Sequence, residues 1–168
     1  MDSGDAIRAA IGYEERIRDF YAEAAREAKG DAARALYSAL GEDEASHAAY
    51  LKARLAVLER TGGIDLPPLD SALPDPKHIE ASIGRAAAGT AGEALGGEVG
   101  ALERALRAEE ETSAFYRDMV ARLPEPSRPL FARFLEIEDG HTRIVRAELD
   151  QVSRTGHWFD VREFDLED

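Results

Sequence analysis

The sequence predicts an all-α fold, a four-helix bundle made of two helical hairpins joined by a long crossover, with a C-terminal tail. Three observations carry this. The motif Glu44-x-x-His47 returns near the far end as Glu138-x-x-His141. One helix before each copy, Ala10-Ile-Gly-Tyr-Glu-Glu-Arg-Ile-Arg-Asp-Phe-Tyr21 aligns without gaps to Ala105-Leu-Arg-Ala-Glu-Glu-Glu-Thr-Ser-Ala-Phe-Tyr116. The shared alanine, both glutamates and the Phe-Tyr pair mark duplication of a two-helix unit. The turn signals are the third observation. Both helices of a hairpin rise equally per residue, so the turn lies midway between residues that face each other. Gly30-Asp31 falls midway between Glu14 and the Glu44/His47 pair, and Pro124-Glu125-Pro126 midway between Glu109 and the Glu138/His141 pair. Glycine ends helices and an X-Pro pair breaks them.

Taken in order, the first helix opens after Ser3 or Asp5 as N-cap and runs to about Lys29, with Gly30 as its stop signal. Its inward stripe reads Ile7, Ala10, Glu14, Ile17, Tyr21, Ala24. Asp31 caps the second helix, which continues to about Arg60 and closes at Thr61-Gly62-Gly63. Its stripe is Ala33, Leu36, Leu40, Glu44, His47, Leu51, Leu55, Leu58. From Thr61 to about Gly89, glycines and prolines mark a crossover long enough to carry the chain along the bundle, so that the third helix runs parallel to the second. Ile79–Ala88 reads as a short helix on the way, and His78 as exposed.

Thr90-x-x-Glu93 has the form of a capping box opening the third helix, which reaches about Leu123 with the stripe Leu102, Leu106, Glu109, Thr112, Tyr116, Val120, Leu123. Ser127 caps the fourth, with Pro129 in its first turn. That helix carries Phe131, Phe134, Leu135, Glu138, His141, Val145, Leu149 and Val152. Each stripe is interrupted by an acid near its middle, and by no other acid. Residues 1–154 therefore read as the bundle. Residues 155–168 read as a tail that packs on the bundle or a partner subunit through Trp158, Phe159 and Phe164, with His157 structural or exposed.

Bulk properties limit what the chain can do. A length of 168 residues, 44% hydrophobic and 33% charged, fits one globular domain with a sizeable core. A formal charge of -13 argues against binding nucleic acid or an anionic membrane surface, which require clustered Lys and Arg. The chain has no long apolar run, and Met1-Asp-Ser-Gly-Asp lacks the basic-then-apolar form of a leader, so the expected location is the cytoplasm. The absence of cysteine excludes disulfides, thiolate zinc sites and iron–sulfur clusters. Any metal must use Glu, Asp, His or water, a donor set that suits iron, manganese or zinc rather than copper(I).

Residues three apart on a helix share a face, so a carboxylate and an imidazole in Glu-x-x-His reach one ion together. A lone glutamate at a stripe edge is usually solvated, and a lone core histidine is usually a hydrogen-bonded core residue. Recurrence at matched positions makes Glu14, Glu44, His47, Glu109, Glu138 and His141 a set. An unfilled layer of this kind is costly, because like carboxylates repel and each desolvated charge needs compensation. Two divalent cations balance four carboxylates, with both histidines neutral.

The pattern Glu, then Glu-x-x-His, repeated across four helices, resembles the ferritin-like di-metal carboxylate superfamily. The Glu-x5-Phe-Tyr context is most similar to rubrerythrin-type domains. The resemblance covers roughly residues 5 to 154. It implies two iron ions, with manganese or zinc as alternatives. Glu44 and Glu138 would bridge or chelate, Glu14 and Glu109 each terminate one metal, and His47 and His141 each supply a ring nitrogen. Tyr21 and Tyr116 would point to the cavity edge, either as core packing with a satisfied hydroxyl or in a redox or hydrogen-bonding role. Glu15 and Glu110 turn toward solvent or stand behind the ligands. The implied function is a di-iron oxidoreductase that reduces peroxide or dioxygen. Rubrerythrins carry a cysteine-rich rubredoxin module, absent here, so an external rubredoxin-like donor is expected. They also place a further glutamate three residues after the third-helix ligand, where this chain has Thr112. Two alternatives follow. One is a ferroxidase that handles iron or, in a hollow shell of many subunits, stores it; under any reading a homodimer or larger homo-oligomer is expected. The other is a non-enzymatic helical interaction module whose polar layer sets register.

Overall fold

The computed structural model describes residues 2–69, 91–93 and 97–159. Four long helices dominate it: α1 (Ser3–Glu27), α2 (Asp31–Thr61), α3 (Glu98–Arg122) and α4 (Arg128–Thr155). The short strands β1 (Ala91–Glu93) and β2 (His157–Trp158) pair antiparallel, Ala91 with Trp158 and Glu93 with His157. Among the described residues no helix is long and apolar enough to cross a membrane.

Helix ends depart from the expected caps in instructive ways. Asp2, rather than Ser3 or Asp5, caps α1 by accepting from the Asp5 backbone N–H at 2.8 Å. Gly30 does not end α1, which stops at Glu27 with Ala28 extended; it stands before α2 as N-cap, and Asp31 inside the first turn accepts from Arg34 instead. Ser127 occupies the N-cap position of α4 without capping it, because its hydroxyl lies 2.5 Å from that of Ser3. The expected capping box at Thr90-x-x-Glu93 is not a helix start. Glu93 lies in β1, and α3 begins only at Glu98, after Gly97 at φ 99°, a left-handed backbone that glycine adopts without steric cost. His78, the expected helix over 79–88 and Phe164 lie outside the described residues.

Cross-helix partners give the helix directions. Arg8 pairs with Glu59 and Glu15 with Lys52, so partner numbers fall along α2 as they rise along α1. The same holds for Glu110–Arg146, Ser113–Thr142 and Arg117–Asp139 between α3 and α4. Each pair is antiparallel. At Gly41 a Cβ would meet the Tyr21 Cβ at 3.3 Å, so α1 and α2 approach closely there.

The core is two apolar clusters. One gathers Ile17, Tyr21, Leu36, Leu40, Leu102, Ile144, Val145 and Trp158 toward the α1–α2 turn. The other gathers Ile7, Ala10, Leu51, Tyr116, Met119, Leu130, Phe131 and Phe134 toward the opposite end. On every helix the predicted acid lies between the two, so a polar layer crosses the bundle at mid-height. Leu55, Leu58, Leu106 and Val120 are only half-buried, at the rim of the stripes expected to hold them.

The expectation of one acid per stripe fails. Asp43 and Glu148 are fully buried and Glu98 nearly so. Glu98 Oε2 accepts from the Trp158 indole N–H at 2.8 Å, and Glu148 Oε2 from the Phe159 backbone N–H at 3.2 Å. Trp158 and Phe159 are themselves buried, so these acids fasten the chain after α4 to the bundle end.

Candidate metal centre

The middle of each helix supplies its share of the polar layer because a run of apolar positions at helical spacing carries it inward. Glu14 follows Ile7 and Ala10 on α1, one turn before Ile17, and has no way to reach solvent. Glu44 and His47 are fixed between Leu40 and Leu51, Glu109 between Leu102 and Tyr116, and Glu138 and His141 between Phe134 and Val145. All six are at most 2% exposed. Neighbours one step round each helix leave the layer: Glu15 pairs with Lys52 and Glu110 with Arg146 at the surface, each at 2.6 Å.

Three groups of donor atoms form among the described residues, a triad of Asp43, His47 and His141 and two groups of four. Glu14, Glu44, His47 and Glu138 make one, and Glu44, Glu109, Glu138 and His141 the other, with one donor atom from each residue within 4.8 Å of all the rest. Glu44 and Glu138 belong to both. His47 Nδ1 lies 3.3 Å from Glu14, 3.0 Å from Glu44 and 3.6 Å from Glu138. His141 Nδ1 lies 2.7 Å from Glu44 and 3.9 Å from both Glu109 and Glu138. The two imidazoles stack 5.5 Å apart at 13°, so their Nδ1 edges face the carboxylates together.

Asp43 is the residue that sequence reasoning missed. Its Oδ2 lies 3.0 Å from Nε2 of His141 and 3.4 Å from Nε2 of His47, so one carboxylate stands behind both rings. At His141 this acceptor keeps the ring proton on Nε2 and leaves the Nδ1 lone pair toward the centre, as metal-binding imidazoles require, whereas His47 Nε2 makes no hydrogen bond among the described residues. The signal was present in the sequence, since Asp43 and His47 are four apart on one face, but the adjacent Glu44 drew the reading. With Asp43 the layer holds five carboxylates, one more than two divalent cations balance.

Tyr21 and Tyr116 do not simply edge the cavity. Tyr21 donates its hydroxyl to Glu109 Oε1, and Tyr116 donates to Glu14 Oε1, so each tyrosine bonds a buried glutamate of the other repeat. Thr112 returns its hydroxyl to the Ala108 carbonyl at 3.0 Å and adds no donor to the layer.

Electrostatics show what the layer lacks. Burial, then repulsion from Glu44, raises Glu14 to about 8. Burial likewise raises Glu109 to about 8, against the attraction of His141. Glu138 is pushed well above the carboxylate range by burial and by Glu44. Burial also works against Glu44, but His141 and His47 outweigh it and hold this carboxyl below the usual range. Burial opposes charging both imidazoles, and the surrounding carboxylates overcome it. Without a cation the layer keeps protons to stay near neutral. Even so, both oxygens of Glu138 and Oε2 of Glu109 are buried with no hydrogen-bond partner. Buried carboxylate oxygens that make no bond are what coordinated cations satisfy, so these residues could hold metal ions. Binding would displace the retained protons.

Compared with protein-family models, with curated proteins and with solved structures, the chain gives no match.

Proposed function

We propose that the chain is a ferritin-like bundle, two hairpins joined by a crossover between Thr61 and Glu98, whose centre holds two irons and reduces peroxide or dioxygen in the manner of rubrerythrin-type proteins. The observation that carries this reading is the sharing of Glu44 and Glu138 by two four-residue donor groups. One shared carboxylate could be chance crowding in a polar layer. Two of them, with a private glutamate and a private imidazole on each side, form the ligand set of a binuclear centre. The donors are carboxylate oxygens and imidazole nitrogens, which suit iron, manganese or zinc. Iron is the metal of this reading because reducing an O–O bond needs a redox-active ion, which zinc is not.

In this reading Glu14 with His47, and Glu109 with His141, would each hold one ion, and Glu44 and Glu138 would serve both. At such a centre the chemistry supplied by two bound irons is donation of one electron from each to the O–O bond. Tyr21 and Tyr116 hold protons at Oε1 of Glu109 and Glu14, where a change in charge at the centre is felt at once. Asp43 keeps the His141 ring turned so that Nδ1 faces inward. The two apolar clusters exclude water above and below. A separate carrier supplies electrons, because the chain has no cysteine to hold an iron–sulfur module.

Anaerobic titration with ferrous iron should saturate at two per chain, and peroxide should oxidise that iron rapidly. Glu44→Ala and Glu138→Ala should each abolish rapid oxidation. Wild-type rates in both variants would overturn the reading. Tight binding of zinc in place of iron would leave the fold standing and remove the redox chemistry, and tight binding of manganese would leave the fold standing and overturn the iron assignment.

A further inference from the structure

Each imidazole of the layer has a second nitrogen, and the two converge on Asp43. Asp43 Oδ2 lies 3.0 Å from His141 Nε2 and 3.4 Å from His47 Nε2, and one donor atom from each of the three residues lies within 4.8 Å of the other two. Ligand atoms held about 2.1 Å from one tetrahedral ion stand about 3.4 Å apart, so both nitrogen–oxygen separations are near those around a shared cation. His47 Nε2 is buried and makes no hydrogen bond among the described residues. A cation beside Asp43 would satisfy it.

The inward edges of the rings fit the same use. An imidazole bound through Nε2 carries its proton on Nδ1. Glu44 stands opposite both such protons, with Oε2 3.0 Å from His47 Nδ1 and Oε1 2.7 Å from His141 Nδ1. Asp43 beside the ion and Glu44 behind the rings then bring the two negative charges that balance one divalent cation. The proton that His141 holds toward Asp43 leaves as the ion enters. Two imidazoles and one carboxylate leave an octahedral ion three further positions to fill with water. Asp43, His47 and His141 are at most 2% exposed and lie between two apolar clusters, so three waters are costly to bring in. Zinc needs one. It accepts three protein ligands and a single water, and it binds nitrogen and oxygen donors more tightly than ferrous iron does.

We propose that Asp43, His47 and His141 form a zinc site on the outer edge of the two imidazoles, and that one zinc held there keeps both irons out of the binuclear centre. The site stands on its own geometry, and the exclusion rests on the function proposed above. With zinc on Nε2 and protons on Nδ1, neither ring has a lone pair for the inner ions. Each iron would lose the one nitrogen in its ligand set. As neutral rings, the two imidazoles serve two ions on the inner edge or one on the outer edge, so zinc acts as a switch on iron loading.

The full chain, freed of metal with chelator, is titrated with zinc against a chromophoric competitor. Histidine labelled with nitrogen-15 is followed by NMR, since diamagnetic zinc leaves the ring nitrogens visible. The expected result is one zinc per chain, with two of the four histidines bound through Nε2 and protonated on Nδ1. Asp43→Asn should lose this zinc. Glu138→Leu, which removes a carboxylate of the binuclear centre and none of the triad, should keep it. Ferrous uptake under anaerobic conditions should fall from two irons per chain to none once one zinc is bound. Two zinc ions per chain, rings bound through Nδ1, or a zinc lost with Glu138 would put zinc in the binuclear centre and overturn the triad. An Nε2-bound zinc that survives in Asp43→Asn overturns it too, as does failure to bind zinc. Should Asp43→Asn fail to fold, the ring nitrogens of wild type and Glu138→Leu decide. Two irons taken up beside one bound zinc overturn the exclusion alone. Zinc-free protein that takes up no iron overturns the proposed function, and the ring nitrogens still decide the zinc site.

Discussion

Replacing Glu138 with leucine should make the metal-free protein more stable and the metal-loaded protein less stable than wild type. Glu138 is fully buried and neither of its oxygens has a hydrogen-bond partner. Burial and Glu44 push its pKa well above the carboxylate range, so the metal-free protein carries it neutral and the cost is that of unmade hydrogen bonds. Each unsatisfied buried polar group costs about 1–3 kcal/mol, whereas an apolar replacement of similar volume costs less than about 1.5 kcal/mol in packing. The metal-free variant should gain about 1 kcal/mol or more. With metal the order reverses. A free ion at a hundred times its dissociation constant stabilises the native state by about 2.7 kcal/mol per site, and the two sites share Glu138, so wild type gains about 5 kcal/mol that the variant largely forgoes. Urea unfolding in chelator and in anaerobic ferrous iron reads both differences from the midpoints. A Glu138→Leu protein that is weaker in chelator, or that keeps the full metal-induced gain, would refute this account of the centre.

In chelator, stability should fall as pH rises. Glu14 and Glu109 titrate near 8 in the native protein against 4.5 unfolded, so their contribution is complete below 4.5 and lost as pH climbs through 8. Each contributes a slope of about 1.4 kcal/mol per pH unit in that window, the depressed Glu44 acting oppositely and only at acid pH. Iron should invert the trend, since ligation displaces those protons and tightens with pH; unfolding midpoints from pH 5 to 8, with and without iron, read both slopes. Asp43→Asn should lower metal affinity by about 10- to 100-fold while stoichiometry stays at two, measured by competition with a chromophoric chelator. Glu148→Gln should leave metal binding untouched and flatten the metal-free pH dependence by one proton, because burial raises Glu148 to about 8 while the amide still accepts from the Phe159 N–H.

Much of the arrangement could be read before the fold was known, and the reason lies in repetition. A glutamate such as Glu14 on an otherwise apolar stripe is ambiguous alone. A second copy at Glu109, each followed by Glu-x-x-His at the same distance with a turn signal between, removes most of the ambiguity. Reading failed where the informative feature was not repeated. Asp43, Glu98 and Glu148 have no equivalents playing the same part in the other repeat; Asp43 shares a face with His47, four residues on, but nothing in the local spacing of Glu98 or Glu148 separates a buried acid from a solvated one. The start of α3 was misread for a similar reason: Thr90-x-x-Glu93 has the pattern of a cap, but Gly96, Gly97 and Gly100 weaken the helix beside it, and β2 offers the 91–93 stretch a strand partner that only the folded chain brings near.

The sequence by itself determined the four helices, the turns between paired helices and the six side chains that face inward at mid-height. Helical periodicity is a local property, and an apolar stripe has one way to be buried. Only the tertiary structure decided which residues meet across the bundle. Tyr21 serves Glu109 and Tyr116 serves Glu14, Asp43 backs both imidazoles, and Trp158 reaches Glu98 from beyond α4. Those pairings depend on helix crossing and axial offset, which many packed side chains set jointly and no stretch of a few residues encodes.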